Sequence, residues 1–200
     1  MPTPSVAVLK ITLDDIEPPV TRRVVVPANI RLDRLHLVIQ AAMGWTNSHL
    51  YEFQIGGANW GELDPDGFYE DPLEAKKGRL GAVLADAGRK TFTYLYDFGD
   101  GWSHTVRLEK IAPGLDGDPN IILLDAVGRC PPEDCGGVGG YQNLLEILAD
   151  PDHKEHEETL TWCGGPFNPR QPNLPALEAA LERLARRWAP RPHAAMKPRT

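Results

Sequence analysis

Asp97, Asp100 and His104 have the types and spacing that could most readily do chemistry. A carboxylate beside an imidazole can orient a general base or supply two ligands to a metal ion. Asp100-Gly101 is typical of a two-residue type I′ turn, which would place Asp97 opposite His104 on one sheet face. The structural alternative is that Asp100 only makes the turn, while Asp97 and His104 satisfy each other at a sheet edge.

A second candidate segment is the loop at residues 130–141, where Glu133 and Asp134 precede four glycines and Tyr141. Two prolines stiffen the loop, and the glycines permit a tight path into a helix. We expect the two acids either to cap the positive end of that helix or to reach into a cleft.

Three cysteines, Cys130, Cys135 and Cys163, are an odd number, which argues against a secreted disulfide framework and favours the cytoplasm. With His153 or His156 they could supply four zinc ligands, although their spacing matches no standard paired zinc motif. The alternative is three reduced, partly buried thiols. A divalent metal is therefore a possible cofactor, with Asp97 and His104 as further candidate ligands.

His49 shares one face of a predicted strand with Tyr51 and Phe53. A lone histidine there is more often a hydrogen-bonded core residue than a ligand, but it could join His104 if their strands were neighbours. Four tryptophans near these motifs suggest an acidic, aromatic-lined cleft for a small polar or cationic ligand; core packing is the alternative. The candidate cleft residues are Asp97, Asp100, His104, Glu133, Asp134, His49, Trp102 and Tyr141.

The strands and helices that position these residues are predicted from hydrophobic periodicity and from the turn residues between them. Hairpin-linked strands come first and helices gather late, which predicts an α+β fold with a mixed or antiparallel sheet and helices packed on one face. The opening order, strand, strand, helix, strand, is also typical of β-grasp folds. Asn29 is a candidate cap for the first helix, which Gly44 ends. Strands are predicted at 6–13, 20–26, 49–55, 91–96, 103–111 and 120–126, and helices at 32–43, 141–148, 152–162 and 174–188.

The charge of the chain limits the classes of partner that the protein can bind. The formal net charge is −7, and the last twelve residues carry three basic residues and no acid. An acidic body disfavours nucleic-acid binding, which leaves only the tail for such contact. No segment is apolar enough to span a membrane. We therefore predict one domain over residues 1–188, followed by a disordered, basic, proline-containing tail at residues 189–200.

Three motifs together resemble one known family: Gly44-Trp45 with residues 48–53, residues 96–102 with His104, and residues 130–137 with Gly140-Tyr141. It is the plasmid pRi open-reading-frame-three family, found on plasmids and as passenger proteins of insertion elements. The resemblance covers about residues 6–184 and implies a mobile-element origin. Members have been labelled resolvase-like, but a serine recombinase needs arginines around its nucleophile, and the sequence offers no such set. The family usually has Asp at the position of Asn168.

The leading functional hypothesis is a non-catalytic binding or accessory module with a small polar ligand or a protein partner. The first alternative is a metal-assisted hydrolase that uses Asp97, Asp100, His104, Glu133 and Asp134 as ligands and bases. The second is a DNA-associated recombination accessory protein that contacts DNA through its tail.

Overall fold

The computed structural model describes residues 5–63, 72–114 and 120–189. These residues form eight strands and five helices. The strands are β1 (Ser5–Leu13), β2 (Val20–Pro27), β3 (Tyr51–Ile55), β4 (Ala58–Gly61), β5 (Leu73–Glu74), β6 (Thr91–Tyr96), β7 (Trp102–Pro113) and β8 (Ile122–Val127). The helices are α1 (Leu32–Met43), α2 (Leu80–Ala87), α3 (Gly137–Ala149), α4 (His156–Trp162) and α5 (Leu174–Trp188).

All eight strands belong to one sheet in the order β5-β4-β3-β6-β7-β1-β2-β8. Every neighbouring pair is antiparallel except β4 and β5, which run parallel. The first strand of the chain therefore lies inside the sheet, between β7 and β2. The predicted α+β class with a mostly antiparallel sheet is confirmed, as is the opening order of strand, strand, helix and strand.

One face of the sheet is buried beneath the helices. Alternate residues of β2, β3 and β6 are buried, as the period of two in a strand requires. The buried residues of α1, α2, α3 and α5 join them in a single hydrophobic core. By contrast, α4 has no buried residue, in agreement with its polar sequence. The large core side chains include Leu9, Ile11, Leu35, Ile39, Phe53, Tyr94, Tyr96 and Trp102.

The helix α1 leads directly to the candidate site. Gly44 ends it, as predicted, and the chain then passes through residues 45–50 into β3. The predicted cap is wrong: the N-cap residue is Arg31, without a side-chain hydrogen bond. Asn29 lies two residues too early for that role, because Leu32 is the first helical residue.

The β6–β7 hairpin has a different register from the predicted one. Tyr94, rather than Asp97, lies opposite His104, and Tyr96 lies opposite Trp102. The reversal uses residues 97–101 instead of two residues, and Gly101 donates its N–H to the carbonyl of Asp97 at 2.6 Å. The predicted cross-strand pair of Asp97 and His104 is therefore wrong.

The division into a domain at residues 1–188 and a tail at residues 189–200 stays a prediction, since residues 190–200 lie outside those that the structure describes. Within the described ranges, no helix combines the length and the apolar character that crossing a lipid bilayer requires.

Candidate metal centre

His49, Asp97 and Asp134 form the one group of three potential metal-binding side chains found in the described parts of the chain. His49 Nε2 lies 3.6 Å from Asp97 Oδ2 and 3.0 Å from Asp134 Oδ1. One ligand atom from each side chain lies within 4.8 Å of the other two. Because Asp97 is buried, His49 partly buried and Asp134 exposed, the group opens to solvent on the Asp134 side.

The imidazole nitrogen of this group lacks a hydrogen bond. His49 Nε2 is shielded from solvent, and neither nearby carboxylate is aligned to form a hydrogen bond with it. Asp97 Oδ1 accepts the backbone N–H groups of Gly99 and Asp100, so its Oδ2 faces the imidazole. A cation among the three side chains would satisfy this nitrogen and the two carboxylates together.

Adjacent strands bring His49 and Asp97 together. His49 lies two residues before β3, and Asp97 directly follows β6. The N–H of Asp97 donates to the carbonyl of Leu50 at 3.0 Å, which fixes the end of β6 against the chain beside His49. Asp97 has a φ of 57°, in the left-handed region that aspartate and asparagine enter more readily than most residues.

Glu133 ties the loop of residues 130–137 to the segment that follows α1. Its carboxylate accepts the backbone N–H of Thr46 at 2.8 Å and the hydroxyl protons of Thr46 and Tyr96. Burial and the Glu133 carboxylate raise the pKa of Tyr96, so this hydroxyl remains a donor. Trp45 Nε1 also donates to the carbonyl of Pro131 at 2.9 Å. Glu133 therefore positions the loop that carries Asp134.

The same loop is held against the β6–β7 reversal. Asp100 Oδ2 accepts the N–H of Gly136 at 3.2 Å. Gly137 approaches so closely that an added Cβ would lie 2.4 Å from the carbonyl oxygen of Asp100. The expected capping of α3 by Glu133 or Asp134 is wrong, because its N-cap residue is Gly136 without a side-chain hydrogen bond. These acids contact Tyr96 and His49 instead.

His104 is a core residue, fully buried. Its Nδ1 lies 3.1 Å from the carbonyl oxygens of Tyr94 and Trp102. Since carbonyl oxygens only accept, Nδ1 carries the proton, and Nε2 is left buried without a partner. Burial lowers the pKa of His104 to about 4. His49 therefore takes the place beside Asp97 that the sequence assigned to His104.

The other aromatic candidates divide between core and surface. Trp102 and Tyr141 are buried core residues. Trp45 stacks on Tyr96 with ring centroids 5.0 Å apart. Trp162 is exposed. Of the predicted aromatic wall, Trp45 and Trp162 line a cavity that also borders residues 130–133, and His49, Asp97 and Asp134 do not line this cavity.

The cysteines do not assemble a metal site among the described residues. Burial raises the pKa of Cys130 and Cys163, and raises that of Cys135 to about 12, so all three remain thiols at neutral pH. His153 and His156 use their Nδ1 atoms in local contacts with the backbone instead. All three cysteines are free, with Cys130 buried and Cys135 and Cys163 partly buried.

A family model and two similar proteins place this chain among known sequences and structures. Residues 5–176 match the model of the plasmid pRiA4b ORF-3-like protein family. An uncharacterised protein of Sinorhizobium fredii, y4hQ, is 50% identical over 186 residues, which cover 92% of this chain and 95% of the relative. A crystal structure of a protein of unknown function from Methanosarcina mazei has a TM-score of 0.74 and 36% identity, and covers 84% of this chain and 94% of its own. The chain belongs to the plasmid pRiA4b ORF-3-like protein family.

Proposed function

We propose that the protein is a binding module that holds one divalent metal ion between His49, Asp97 and Asp134. The observation that carries the proposal is the unpaired Nε2 of His49, which lies between two carboxylates with all three ligand atoms within 4.8 Å. Two of the three groups are negative, and the third is neutral when it ligates. A divalent cation would therefore neutralise the group while satisfying the unpaired nitrogen.

The donor set indicates which ions suit the site. One imidazole nitrogen and two carboxylate oxygens suit Zn²⁺ or Mn²⁺, whereas Mg²⁺ and Ca²⁺ prefer oxygen ligands alone. Three protein ligands leave at least one coordination position for water or for a group on a partner. The exposed side of Asp134 is where such a group would enter. The ion thus offers an attachment point for an oxygen or nitrogen ligand.

The fold anchors Asp97 and the loop that carries Asp134 before any ion arrives. Asp97 is fixed by its two backbone acceptor bonds and by the contact of its N–H with Leu50. Asp134 follows Glu133, which is anchored by Tyr96 and Thr46. Preorganised ligands lose little conformational entropy on binding, which favours affinity.

We expect Zn²⁺ or Mn²⁺ to bind the full chain at one ion per molecule. Isothermal titration calorimetry on protein that was purified without a polyhistidine tag and treated with chelator measures this. Because the ion binds only the folded state, it should raise the free energy of unfolding by about 2.7 kcal/mol at roughly 100 times its Kd. Asp97→Asn, which tolerates the same backbone conformation, should weaken binding by about tenfold or more.

The matched control is Asp100→Asn. It removes the same charge from the same turn, while the amide oxygen can still accept the N–H of Gly136. Its affinity should stay close to that of the wild type, whereas His49→Gln and Asp134→Asn should weaken binding as Asp97→Asn does. Equal losses from Asp97→Asn and Asp100→Asn, or no saturable binding of either metal, would contradict the site.

Metal-assisted hydrolysis is the second candidate, and the open coordination position favours it because a bound water there would become acidic. Glu133, the nearest candidate base on the loop, already accepts three hydrogen bonds. We therefore rank hydrolysis below binding. An activated phosphodiester or ester tests it: if the Zn²⁺ or Mn²⁺ form turns over no faster than the Asp97→Asn variant, the hydrolase candidate is excluded for these substrates.

A further inference from the structure

Arg22 is a buried cation whose hydrogen bonds all go to main-chain carbonyls and none to an acid. It lies on the core face of β2 with 1% of its surface exposed. Its Nε donates to the carbonyl of Ala42 at 2.6 Å, and its Nη1 donates to the carbonyls of Thr21 and Val127, both at 2.8 Å. In the described ranges, Arg22 forms no ion pair, and its Nη2 donates no hydrogen bond.

Such a charge is costly to bury unless an anion accompanies it. Main-chain carbonyls satisfy part of the guanidinium but carry no net charge. Burial accordingly lowers the pKa of Arg22, although a guanidinium remains protonated in proteins. Cys130 beside it is a thiol rather than a thiolate, because burial raises its pKa as well. Asp125 is the acid whose charge acts on Arg22, but the two side chains form no ion pair, so the guanidinium has no directly bonded counter-charge.

A cavity of about 280 Å³ lies next to Arg22. Arg129 is a second cation on its wall, where the guanidinium packs 4.3 Å from the centre of the Phe167 ring. Trp45 and Trp162 are further aromatic walls. The one acidic side chain that lines this cavity is Glu133, and both of its oxygens already accept hydrogen bonds from Thr46 and Tyr96. In a chain with a net charge of −7, this cavity carries a local excess of positive charge.

We propose that this cavity binds a small organic monocarboxylate with a flat apolar body, whose carboxylate pairs with Arg22 Nη2. The carboxylate would supply an acceptor for Nη2 and a directly bonded counter-charge in one group, and its planar shape matches the donors of a guanidinium. The aromatic walls would contact the apolar body. The volume suits a single-ring acid, since it lies at the lower limit of ordinary ligand cavities.

A monoanion fits better than phosphate. Glu133 on the wall would repel a second negative charge, and a tetrahedral phosphate would leave the apolar walls uncovered. This inference is independent of the metal proposal, because the proposed carboxylate contacts Arg22 rather than His49, Asp97 or Asp134. An excess of chelator during the test keeps the two separate.

Phenylacetate is the probe, with phenylacetamide, acetate and inorganic phosphate as comparisons. Titration followed by NMR or tryptophan fluorescence should give saturable binding of phenylacetate at one molecule per chain. The amide has the same shape without the charge, and acetate has the charge without the ring. Each should bind about tenfold more weakly or worse. Equal binding of phenylacetate and phenylacetamide, tighter binding of phosphate, or no saturable phenylacetate binding at millimolar concentrations would overturn the proposal.

Three variants test where phenylacetate binds. Ala176→Trp fills the cavity from an exposed position on α5 and leaves Arg22 intact, while Ala179→Trp adds the same side chain at an exposed position of α5 outside the cavity. Only Ala176→Trp should abolish phenylacetate binding. Arg22→Lys keeps the charge but loses the fork of donors, and should weaken binding wherever circular dichroism confirms that the variant is folded. Unchanged binding by Ala176→Trp would contradict the assignment.

Discussion

Gly140→Ala should lose about 3 kcal/mol or more of the free energy of unfolding, whereas Gly139→Ala should lose none. An added Cβ at Gly140 would lie 1.8 Å from the carbonyl oxygen of Cys135 and 2.7 Å from its carbonyl carbon. These are backbone atoms, so no side-chain rotation can relieve the overlap. The 130–137 loop or the first turn of α3 must move.

The neighbouring glycine supplies a matched control. Gly139 lies in the same turn of α3, and an added Cβ there has no atom within 4 Å. Alanine in a helix is favoured over glycine by about 1 kcal/mol, so Gly139→Ala should be neutral or stabilising. Urea unfolding measures both variants. Equal stabilities of the two variants would contradict the close approach of Gly140 to the backbone of Cys135.

Acid should destabilise the protein in the window between about pH 6.5 and about pH 4, because two buried histidines must take up protons on unfolding. Burial lowers the pKa of both His36 and His104 to about 4. Below a pH of about 6.5, the usual pKa of histidine, the unfolded chain binds more protons than the folded protein. The free energy of unfolding therefore decreases as the pH is lowered, until the pH reaches the folded-state pKa values of about 4. Each histidine contributes at most about 3 kcal/mol across this window.

The surroundings of the His36 and His104 rings explain why their pKa values are lowered. His36 stacks on Tyr51 with ring centroids 3.6 Å apart, and its Nδ1 lies 2.7 Å from the hydroxyl of Tyr94. His104 packs edge-on against Trp45, with 5.4 Å between centroids. Urea unfolding between pH 7.5 and pH 4 measures the slope of stability against pH. His104→Asn and His36→Gln should each flatten that slope even if they lower stability overall. A slope unchanged in both variants would contradict burial of neutral rings.

The sequence predicted the elements better than their pairing. Helices α1, α3 and α5 and the β1–β2 hairpin follow from periodicity, which a core imposes on every strand and helix. The register of β6–β7 could not be predicted, because Asp100-Gly101 fits a two-residue turn as well as the longer reversal that begins at Asp97. That choice depends on the contacts of Asp97 with Leu50 and His49.

The sequence predicted the residues of the candidate site but not how they come together. Asp97, Asp134 and His49 were all candidates, but their convergence depends on the path of the 130–137 loop, which Glu133 fixes through tertiary hydrogen bonds. Arg22 was not among the residues predicted from the sequence, although the pattern of β2 indicates that it is buried. It lies two residues from Val20 and Val24 on one face of β2, where alternation predicts burial.

The position of β1 inside the sheet has a consequence for synthesis of the chain. Its partners on one side are in β2, but on the other side they are in β7, where Ser5 meets Pro113. A ribosome must therefore release the chain as far as Pro113, more than half of the 200 residues, before β1 can pair fully with β7. Until then, one edge of an apolar strand remains available to other chains. Nascent copies of this protein are accordingly expected to depend on holdase chaperones more than the finished fold does.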